Sequence, residues 1–218
     1  NHSDKAMKLR YNILNTLFTL VAVTVVGLAF ALSHNSPCVT PAAASSEHAT
    51  MKTVMYFCYG SADVLELVDT VKPVPAANER LVKIHAASVN PLDWHYMRGA
   101  PYIMREMIGM GAPTNTTMGV DFAGTVEAVG AKVTQFIVGD RVFGGRGGAF
   151  AEYIVIPEDR AMVKIPANIS FEQAASVPLA AVHTVQAPLN MGNSLSSSTS
   201  HIKHVSALVR MLSQHADS

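Results

Sequence analysis

Hydrophobic residues are distributed along this chain in two ways: one long continuous run near the amino terminus, then many short runs. The long run begins at Ile13 and ends at Leu32, so it is 20 residues long. No Asp, Glu, Lys or Arg occurs between Tyr11 and Ser46. A helix that rises ~1.5 Å per residue crosses a hydrocarbon core of ~30 Å in about this length. The run therefore predicts a single membrane-spanning helix that anchors the protein.

Two alternatives for this run stay open. It could be a cleaved signal peptide, with the small-residue segment 42–44 as the cleavage site and a secreted product, although signal peptides usually have apolar cores of only ~7–15 residues. It could also be a buried core helix, although a helix that is apolar all round is difficult to bury in so small a protein. If the run is an anchor, the charges beside it predict its orientation. Three basic residues precede the run, namely Lys5, Lys8 and Arg10, and no Lys or Arg follows it until Lys52. The positive-inside rule then places the body outside the cytoplasm.

Residues 34–50 are rich in Ser, Ala and Pro and show no periodicity, which is typical of a linker. The chain has two cysteines, Cys38 in this segment and Cys58 beyond it. Two cysteines are too few for a four-thiolate zinc site or for a framework of several disulfides. We therefore expect two unrelated thiols, with Cys38 open to oxidation if the segment lies outside the cytoplasm.

From residue 51 the short apolar runs alternate with Gly, Pro, Asn and Asp, a pattern that predicts short strands joined by tight turns. The predicted strands cover residues 53–57, 65–69, 80–89, 121–129, 141–143, 149–156 and 161–165. Asn90 and Pro91 are suited to begin one short helix, and Ser170 another. Segment 99–117 is predicted to be an irregular loop whose methionines could form an apolar substrate wall. The pattern favours a mainly β fold, an all-β barrel.

Composition and charge narrow the function. Lys plus Arg and Asp plus Glu number 16 each, so the formal net charge is zero. Nucleic-acid binders usually carry a basic surplus, so this balance argues against that class.

After the body, residues 190–200 are Ser-rich like a linker, and 201–215 have the apolar spacing of one helix face. The predicted organisation is a basic stub and membrane helix (1–33), a linker (34–50), a β body (51–182) and a tail (183–218).

Four motifs in the body, in this order and spacing, resemble a known family. They occupy residues 88–93, 119–124, 138–142 and 148–153. They resemble the amino-terminal catalytic domain of the medium-chain dehydrogenase/reductase superfamily, in its zinc-free, quinone-oxidoreductase-like branch. The resemblance runs from about Met51 to about Val182. It implies a GroES-like, partly open barrel with short helices.

The resemblance bears on zinc, because other branches of the superfamily bind a catalytic zinc ion. Those members carry a Cys in the segment that matches 90–93, and a His-Glu pair after the glycine that matches Gly119. Here segment 90–93 contains no Cys, and Val120 and Asp121 stand in place of His-Glu. A catalytic zinc needs three fixed N, S or O ligands. Asp93, His95 and Asp121 could be imagined as a metal set, but nothing in the sequence fixes their geometry, so we expect no metal site.

Without a metal, the resemblance implies hydride transfer from NADPH or NADH to a small acceptor such as a quinone or an enone. It implies that Asn90 contacts the cofactor or the substrate, as both a catalytic and a cofactor-binding residue. Tyr102 lies one residue from the family's loop tyrosine and is the second catalytic candidate. His183 stands where the family has a threonine near the cofactor, and is a cofactor-binding candidate. A homo-oligomer is compatible with the family.

The cofactor domain that the family requires is not visible in the sequence. Nicotinamide cofactors need a strand, a glycine-rich turn and a helix, and no Gly-x-Gly-x-x-Gly follows Val182. The glycines of 144–148 are expected to form a turn between strands. We therefore expect no Rossmann domain and a truncated NAD(P)H-dependent oxidoreductase that is inactive alone, its end reflecting a frameshift or a shortened frame. The alternative is a non-catalytic, membrane-anchored barrel that binds a small apolar ligand or a partner protein. Nicotinamide cofactors are cytoplasmic, so the predicted topology conflicts with the enzyme reading.

Overall fold

A computed structural model describes residues 2–39, 49–160 and 162–180. Several predictions fall on other residues: His183, the Ser-rich linker, the helix at 201–215 and the cleavage site at 42–44. These lie outside the described residues.

The described residues form four α-helices and seven strands. The helices are α1 (His2–Ser33), α2 (Pro91–Arg98), α3 (Arg105–Ile108) and α4 (Phe171–Ala175). The strands are β1 (Thr50–Tyr56), β2 (Leu65–Val71), β3 (Glu79–Ser88), β4 (Asp121–Val129), β5 (Arg141–Gly145), β6 (Tyr153–Pro157) and β7 (Met162–Lys164).

The strands make two antiparallel sheets. Five strands pair in the order β6-β3-β4-β5-β7, while β1 and β2 pair as a separate ribbon. The ribbon joins the rest of the body through bridges from Thr53 to Ala151 and from Met55 to Thr117. The larger sheet is open, with β6 and β7 at its edges. The prediction of a mainly β, partly open barrel with short helices is confirmed.

The core follows from the alternation of apolar residues along the strands. The largest buried cluster gathers side chains from five strands, among them Val82, Phe122, Val142, Ile154 and Met162. A second cluster lies beneath α4, and a third lies between β1 and α2 around Tyr56 and Met97. Phe122 is fully buried, and truncating such a ring to Ala typically costs about 3–5 kcal/mol. The core thus fixes the strands that hold the site.

Helix α2 has both of its ends specified by local sequence. The Asn90 side chain accepts a hydrogen bond from the Leu92 amide, and the Asp93 carboxylate accepts one from the Asn90 amide. This reciprocal arrangement is a capping box, and Pro91 at the first helical position needs no amide partner. Gly99 ends the helix in the left-handed conformation, at φ 57°. The predicted helix and its cap are confirmed.

Two local predictions differ from the structure. Segment 99–117 is not wholly irregular, because it contains a 3-10 turn (Tyr102–Met104) followed by α3. Strand β6 begins at Tyr153 rather than at residue 149. The residues before it bond elsewhere: the Phe150 amide donates to Met118 and the Glu152 amide to Lys52. Contact with β3 begins just before the strand, because the Ile84 amide of β3 donates to the Glu152 carbonyl over 2.9 Å.

Helix α1 is long and apolar enough, from Met7 to Ser33, to cross a membrane. None of its apolar window is buried within the described protein, so the core-helix alternative does not fit it. Only its carboxyl end touches the body, where Leu32 is buried. The same finding is compatible with an anchor or with a signal sequence.

The expectation of two unrelated cysteines is wrong in this structure, because Cys38 and Cys58 form a disulfide. The described part of the predicted linker, 34–39, is also packed on the body: the Ser36 amide donates to the Gly111 carbonyl over 2.8 Å. Cys58 follows directly on β1 beside Tyr59, whose hydroxyl bonds the Gly109 carbonyl. The two cysteines therefore meet through non-local folding that sequence spacing does not reveal.

Candidate functional site

A cleft of about 280 Å³ lies between β1, α2 and the segment that leads into β4. Ligand pockets for small molecules begin at about this size. Its walls combine apolar, hydroxyl and amide groups, namely those of Tyr56, Tyr96, Met107, Ile108, Thr114, Asn115, Thr117, Met118 and Val120, with Gly119 and Gly147. Of the methionines in segment 99–117 only Met107 lines the cleft, and Met118, which also lines it, lies just beyond that segment. The cleft can take a small, mostly apolar molecule that carries a polar group.

Two tyrosines line this cleft from different elements. Tyr56 is the last residue of β1, is 3% exposed, and is fixed by its amide, which donates to Thr116. Tyr96 lies on α2 and is half-buried. Burial, together with the nearby phenols of Tyr59 and Tyr96, raises the pKa of Tyr56 well above its ordinary value. Its hydroxyl therefore keeps its proton at neutral pH and can donate a hydrogen bond.

A pair of buried carboxylates, Asp93 and Asp121, lies at the amino end of α2 and the start of β4. One oxygen of Asp121 accepts from Ser88 and Asn90, each over 3.4 Å, and from the Leu179 amide over 3.2 Å. Its other oxygen is buried and has no partner within the described residues, and the same holds for one oxygen of Asp93. Burial raises the pKa of Asp121 to about 6. We call Ser88, Asn90, Asp93 and Asp121 the carboxylate cluster.

Burial also raises the pKa of Asp93, partly offset by the hydrogen bond from the Asn90 amide. The cluster adjoins the cleft along the chain, because Asp121 directly follows Val120, which lines it. Asn90 therefore has two tasks in the structure: it caps α2 and it orients toward Asp121. A half-buried amide held at a helix end in this way can present its remaining N–H to a bound group.

The glycine-rich segment between β5 and β6 is a turn, as predicted. Its amides are used internally: Arg146 donates to the Val120 carbonyl and Gly148 to the Gly119 carbonyl. Gly119 itself has φ 87° and sits against Phe150, where a Cβ atom would come within 2.5 Å of the ring. A phosphate cradle needs amides that point at its ligand, and these amides face the protein.

The predicted site residues are not all in one place. Asn90 belongs to the carboxylate cluster. Tyr102 lies on the 3-10 turn, is 51% exposed, and has its ring 4.8 Å from the Arg105 guanidinium; it is not part of the cleft wall. His183 lies outside the described residues. The roles given to these residues remain predictions.

The conceivable metal set does not converge within the described part of the chain. Nδ1 of His95 contacts the Ala100 carbonyl at 2.7 Å, and Asp93 is engaged by the cap of α2. Among the described residues, no three His, Cys, Asp or Glu side chains are grouped so that they could hold a metal ion.

Sequence reasoning missed Tyr56 and Tyr96. The sequence pattern indicates Tyr56 only as part of a strand and Tyr96 only as part of a short helix. The available signal was the order of elements, since a strand end and a short capped helix can approach one cleft. Nothing local to either residue indicates that the other is near.

Comparison with protein-family models finds the alcohol dehydrogenase GroES-like domain over residues 76–167. Among curated proteins, a chloroplastic quinone-oxidoreductase homolog from Spinacia oleracea is 34% identical over 148 residues, which are 66% of this chain and 43% of that protein. A quinone oxidoreductase from Pseudomonas aeruginosa is 38% identical over 138 residues, or 61% of this chain and 39% of that protein.

Solved structures give the same picture. The quinone oxidoreductase from Coxiella burnetii matches with a TM-score of 0.57 at 31% identity, covering 65% of this chain and 45% of the other. The Escherichia coli quinone oxidoreductase complexed with NADPH matches with a TM-score of 0.53 at 28% identity, covering 62% of this chain and 40% of the other. The chain thus spans less than half the length of the relatives that it matches.

Proposed function

This chain belongs to the quinone-oxidoreductase-like branch of the medium-chain dehydrogenase/reductase superfamily and carries its amino-terminal GroES-like domain; from that premise we propose that its body is the acceptor-binding part of an NAD(P)H-dependent oxidoreductase. The acceptor class is a small quinone or enone. The reaction class is hydride transfer to that acceptor.

The observation that carries this proposal is the cleft with a buried, protonated tyrosine in its wall. Quinones and enones are flat, mostly apolar molecules with a carbonyl oxygen that accepts hydrogen bonds. Met107, Ile108, Met118 and Val120 supply apolar contact, and Tyr56 supplies a phenol that is neutral at physiological pH and can donate a hydrogen bond. A neutral donor aimed at a carbonyl stabilises the negative charge that develops there during reduction.

The cofactor, when bound, supplies the hydride. Asn90 fits its nicotinamide end, because the amide is held by Asp121 and the cap of α2 and retains donor capacity. The glycine turn does not suit the pyrophosphate end, since its Arg146 and Gly148 amides are already bonded to backbone carbonyls. We therefore expect this 218-residue chain alone to bind NADPH weakly and to turn over slowly. Sustained activity then needs a nucleotide-binding domain that the described residues do not contain.

The location proposed for this domain is membrane-anchored, with α1 as a single span and the body outside the cytoplasm. The basic residues before the helix support that orientation. The Cys38–Cys58 disulfide supports it independently, because structural disulfides persist in oxidising compartments. Because nicotinamide cofactors are cytoplasmic, this location conflicts with cofactor use, and cofactor binding and membrane topology need separate tests.

Acceptor binding is tested by calorimetric titration of the detergent-solubilised chain with a small quinone. The Val120→Trp variant fills the cleft from its wall, and we expect it to weaken binding by at least about tenfold. Val74→Trp is the matched control, because Val74 is 87% exposed and not part of the cleft. Equal affinity in both variants would place the acceptor elsewhere and overturn the proposal.

Cofactor dependence is tested in the same preparation by NADPH fluorescence and by the loss of absorbance of NADPH in the presence of the quinone. We expect weak binding and slow consumption. Tight NADPH binding would contradict the expected need for a further domain. No observation on the described residues favours the alternative of a non-catalytic binding barrel.

A further inference from the structure

Exposed apolar side chains gather where α1 meets the body. Five of them, each between 46% and 88% exposed, belong to α2 and to the segment that follows it: Trp94, Tyr102, Ile103, Met107 and Met110. We call these five residues the apolar patch. We propose that the patch is a second membrane contact and lies at the boundary between headgroups and acyl chains. The inference rests on the proposed anchoring by α1 and goes beyond it, because an anchor alone does not require the body to touch lipid.

The segment that carries the patch is fastened directly to the end of the helix. The Arg105 guanidinium, 1% exposed, donates to the Leu32 carbonyl over 2.9 Å and to the His34 carbonyl over 3.0 Å. The Ser36 amide bonds Gly111 at the other side of the patch segment. The disulfide at Cys38 closes the connection a few residues later. No free linker separates the helix end from the body.

The length of the helix places this junction at the membrane surface. The charge-free apolar run Ile13–Leu32 has 20 residues, which at ~1.5 Å each give ~30 Å, about the thickness of a hydrocarbon core. Its last turn therefore reaches the boundary on the side of the body when Lys8 and Arg10 lie at the opposite boundary. The patch, held against that turn by Arg105, is then at the same depth.

The chemistry of the patch suits this depth. Trp and Tyr are enriched at membrane interfaces, where the ring meets acyl chains and the polar group meets water. Ile103, Met107 and Met110 add apolar area, and Arg98 lies over the Trp94 ring at 5.1 Å, where it can reach lipid phosphates. The arrangement favours a lipid surface over a soluble partner, because the segment that carries the patch is bonded to the end of the proposed membrane helix.

One patch residue, Met107, also lines the cleft. The patch and the cleft therefore share an edge. If the patch touches lipid, the cleft opens at the membrane surface.

Trp94 makes the proposal testable, because it is the only tryptophan in the chain. The full chain is reconstituted into phosphatidylcholine vesicles with either ordinary or brominated acyl chains, and tryptophan fluorescence is compared. Bromine quenches only at short range, so we expect emission to fall by roughly half or more in the brominated vesicles. Equal emission in both kinds of vesicle would overturn the proposal, whether the patch is then exposed or covered by a second copy of the chain.

Variants then separate the patch from the anchor. Ile103→Glu with Met107→Glu changes two exposed positions and should reduce quenching by about twofold or more, because charges are excluded from the acyl region. Val74→Glu is the matched control and should leave quenching unchanged; Val74 follows the far end of the β1–β2 ribbon. Unchanged quenching in the double variant would contradict the role of the patch.

Extraction with alkaline carbonate tests the premise on its own. A chain that stays in the membrane while Trp94 is unquenched keeps the anchor and refutes the patch. A chain that is extracted refutes both. Neither result bears on acceptor binding, which is measured in detergent.

Discussion

Arg80 and Arg105 are both 1% exposed, and the hydrogen bonds of their buried guanidinium groups are satisfied in the same way. The hydrogen-bond acceptors of each guanidinium are backbone carbonyls, and each guanidinium lies over an aromatic ring, Phe136 at 4.7 Å and Tyr59 at 4.4 Å. They differ in what they join. Arg80 ties β3 to the carbonyls at the end of β6, within one sheet. Arg105 ties the body to the end of α1.

The difference shows that the effect of a buried cation depends on what its acceptors belong to. Loss of Arg80 leaves carbonyls unpaired inside the sheet, so the whole body should lose stability. Loss of Arg105 leaves carbonyls unpaired at a junction, so the two parts should come apart before either one unfolds. The predictions below test that contrast in order of decreasing expected effect.

The largest effect is expected from Arg80→Met. It removes the donor to the Ile156, Pro157 and Arg160 carbonyls and should lower the free energy of unfolding by about 3–5 kcal/mol, because buried acceptors would lose their partners. Urea unfolding of the detergent-solubilised chain, followed by Trp94 fluorescence, measures it. Arg160→Met is the control, since only the backbone of Arg160 takes part. A loss of stability below about 1 kcal/mol for Arg80→Met would contradict the role of Arg80 in stabilising the body.

Arg105→Met should lower the free energy of unfolding of the body by a smaller amount, about 1–3 kcal/mol. This loss remains because the Gly99 carbonyl at the end of α2, which belongs to the body, loses its donor. Its main effect should be local. After reduction of the disulfide, proteolysis within residues 33–39 should be faster than in the unchanged protein by about tenfold or more. Arg98→Met is the control, since Arg98 contributes its carbonyl to this network and its side chain is exposed. Equal cleavage rates would mean that Arg105 does not hold the junction.

Asp121→Asn tests a buried charge that, unlike the arginines, lacks a full set of partners. Because the pKa of Asp121 is raised to about 6, its protonated form favours the fold at low pH, and that contribution is lost as pH rises through about 6. The Asn variant should therefore gain stability relative to the unchanged protein between about pH 4 and pH 7, on the order of 2 kcal/mol. Urea unfolding across this range measures the difference, and a constant difference would contradict the raised pKa.

The smallest expected effect is that of Tyr102→Phe on quinone affinity, and it is compared with the effect of Tyr56→Phe. Tyr102→Phe keeps the ring on which Arg105 packs, so neither the junction nor quinone affinity should change by more than about twofold. Tyr56→Phe removes a hydroxyl from a residue that lines the cleft and should weaken quinone binding by about tenfold, or roughly 1.4 kcal/mol. Calorimetric titration distinguishes them. A large effect of Tyr102→Phe alone would support the catalytic role predicted from the sequence.

The features that sequence predicted well are those encoded locally. The start of α2 uses Asn90 as its cap and Pro91 at its first position. The strands of the larger sheet follow from alternation. In each case the residues that determine the element are adjacent in the chain.

The features that sequence did not predict depend on distant contacts. Two carbonyl partners of Arg105, Leu32 in the last turn of α1 and His34 just after it, are 73 and 71 residues away. Tyr56 and Tyr96 reach one cleft from a strand and a helix. The short helix α3 has no capping side chain, and its start follows a 3-10 turn, so its sequence resembles a loop. The candidate site was therefore found only in part, through Asn90.

The Cys38–Cys58 bond changes what proteolytic processing could achieve. The small-residue segment 42–44, where a signal peptidase could cut, lies between the two bonded cysteines. A cut made there after the bond has formed would divide the polypeptide but would not release the helix. The two products would migrate as one species on a gel until a reductant was added. Maturation and membrane attachment would then be compatible in one molecule.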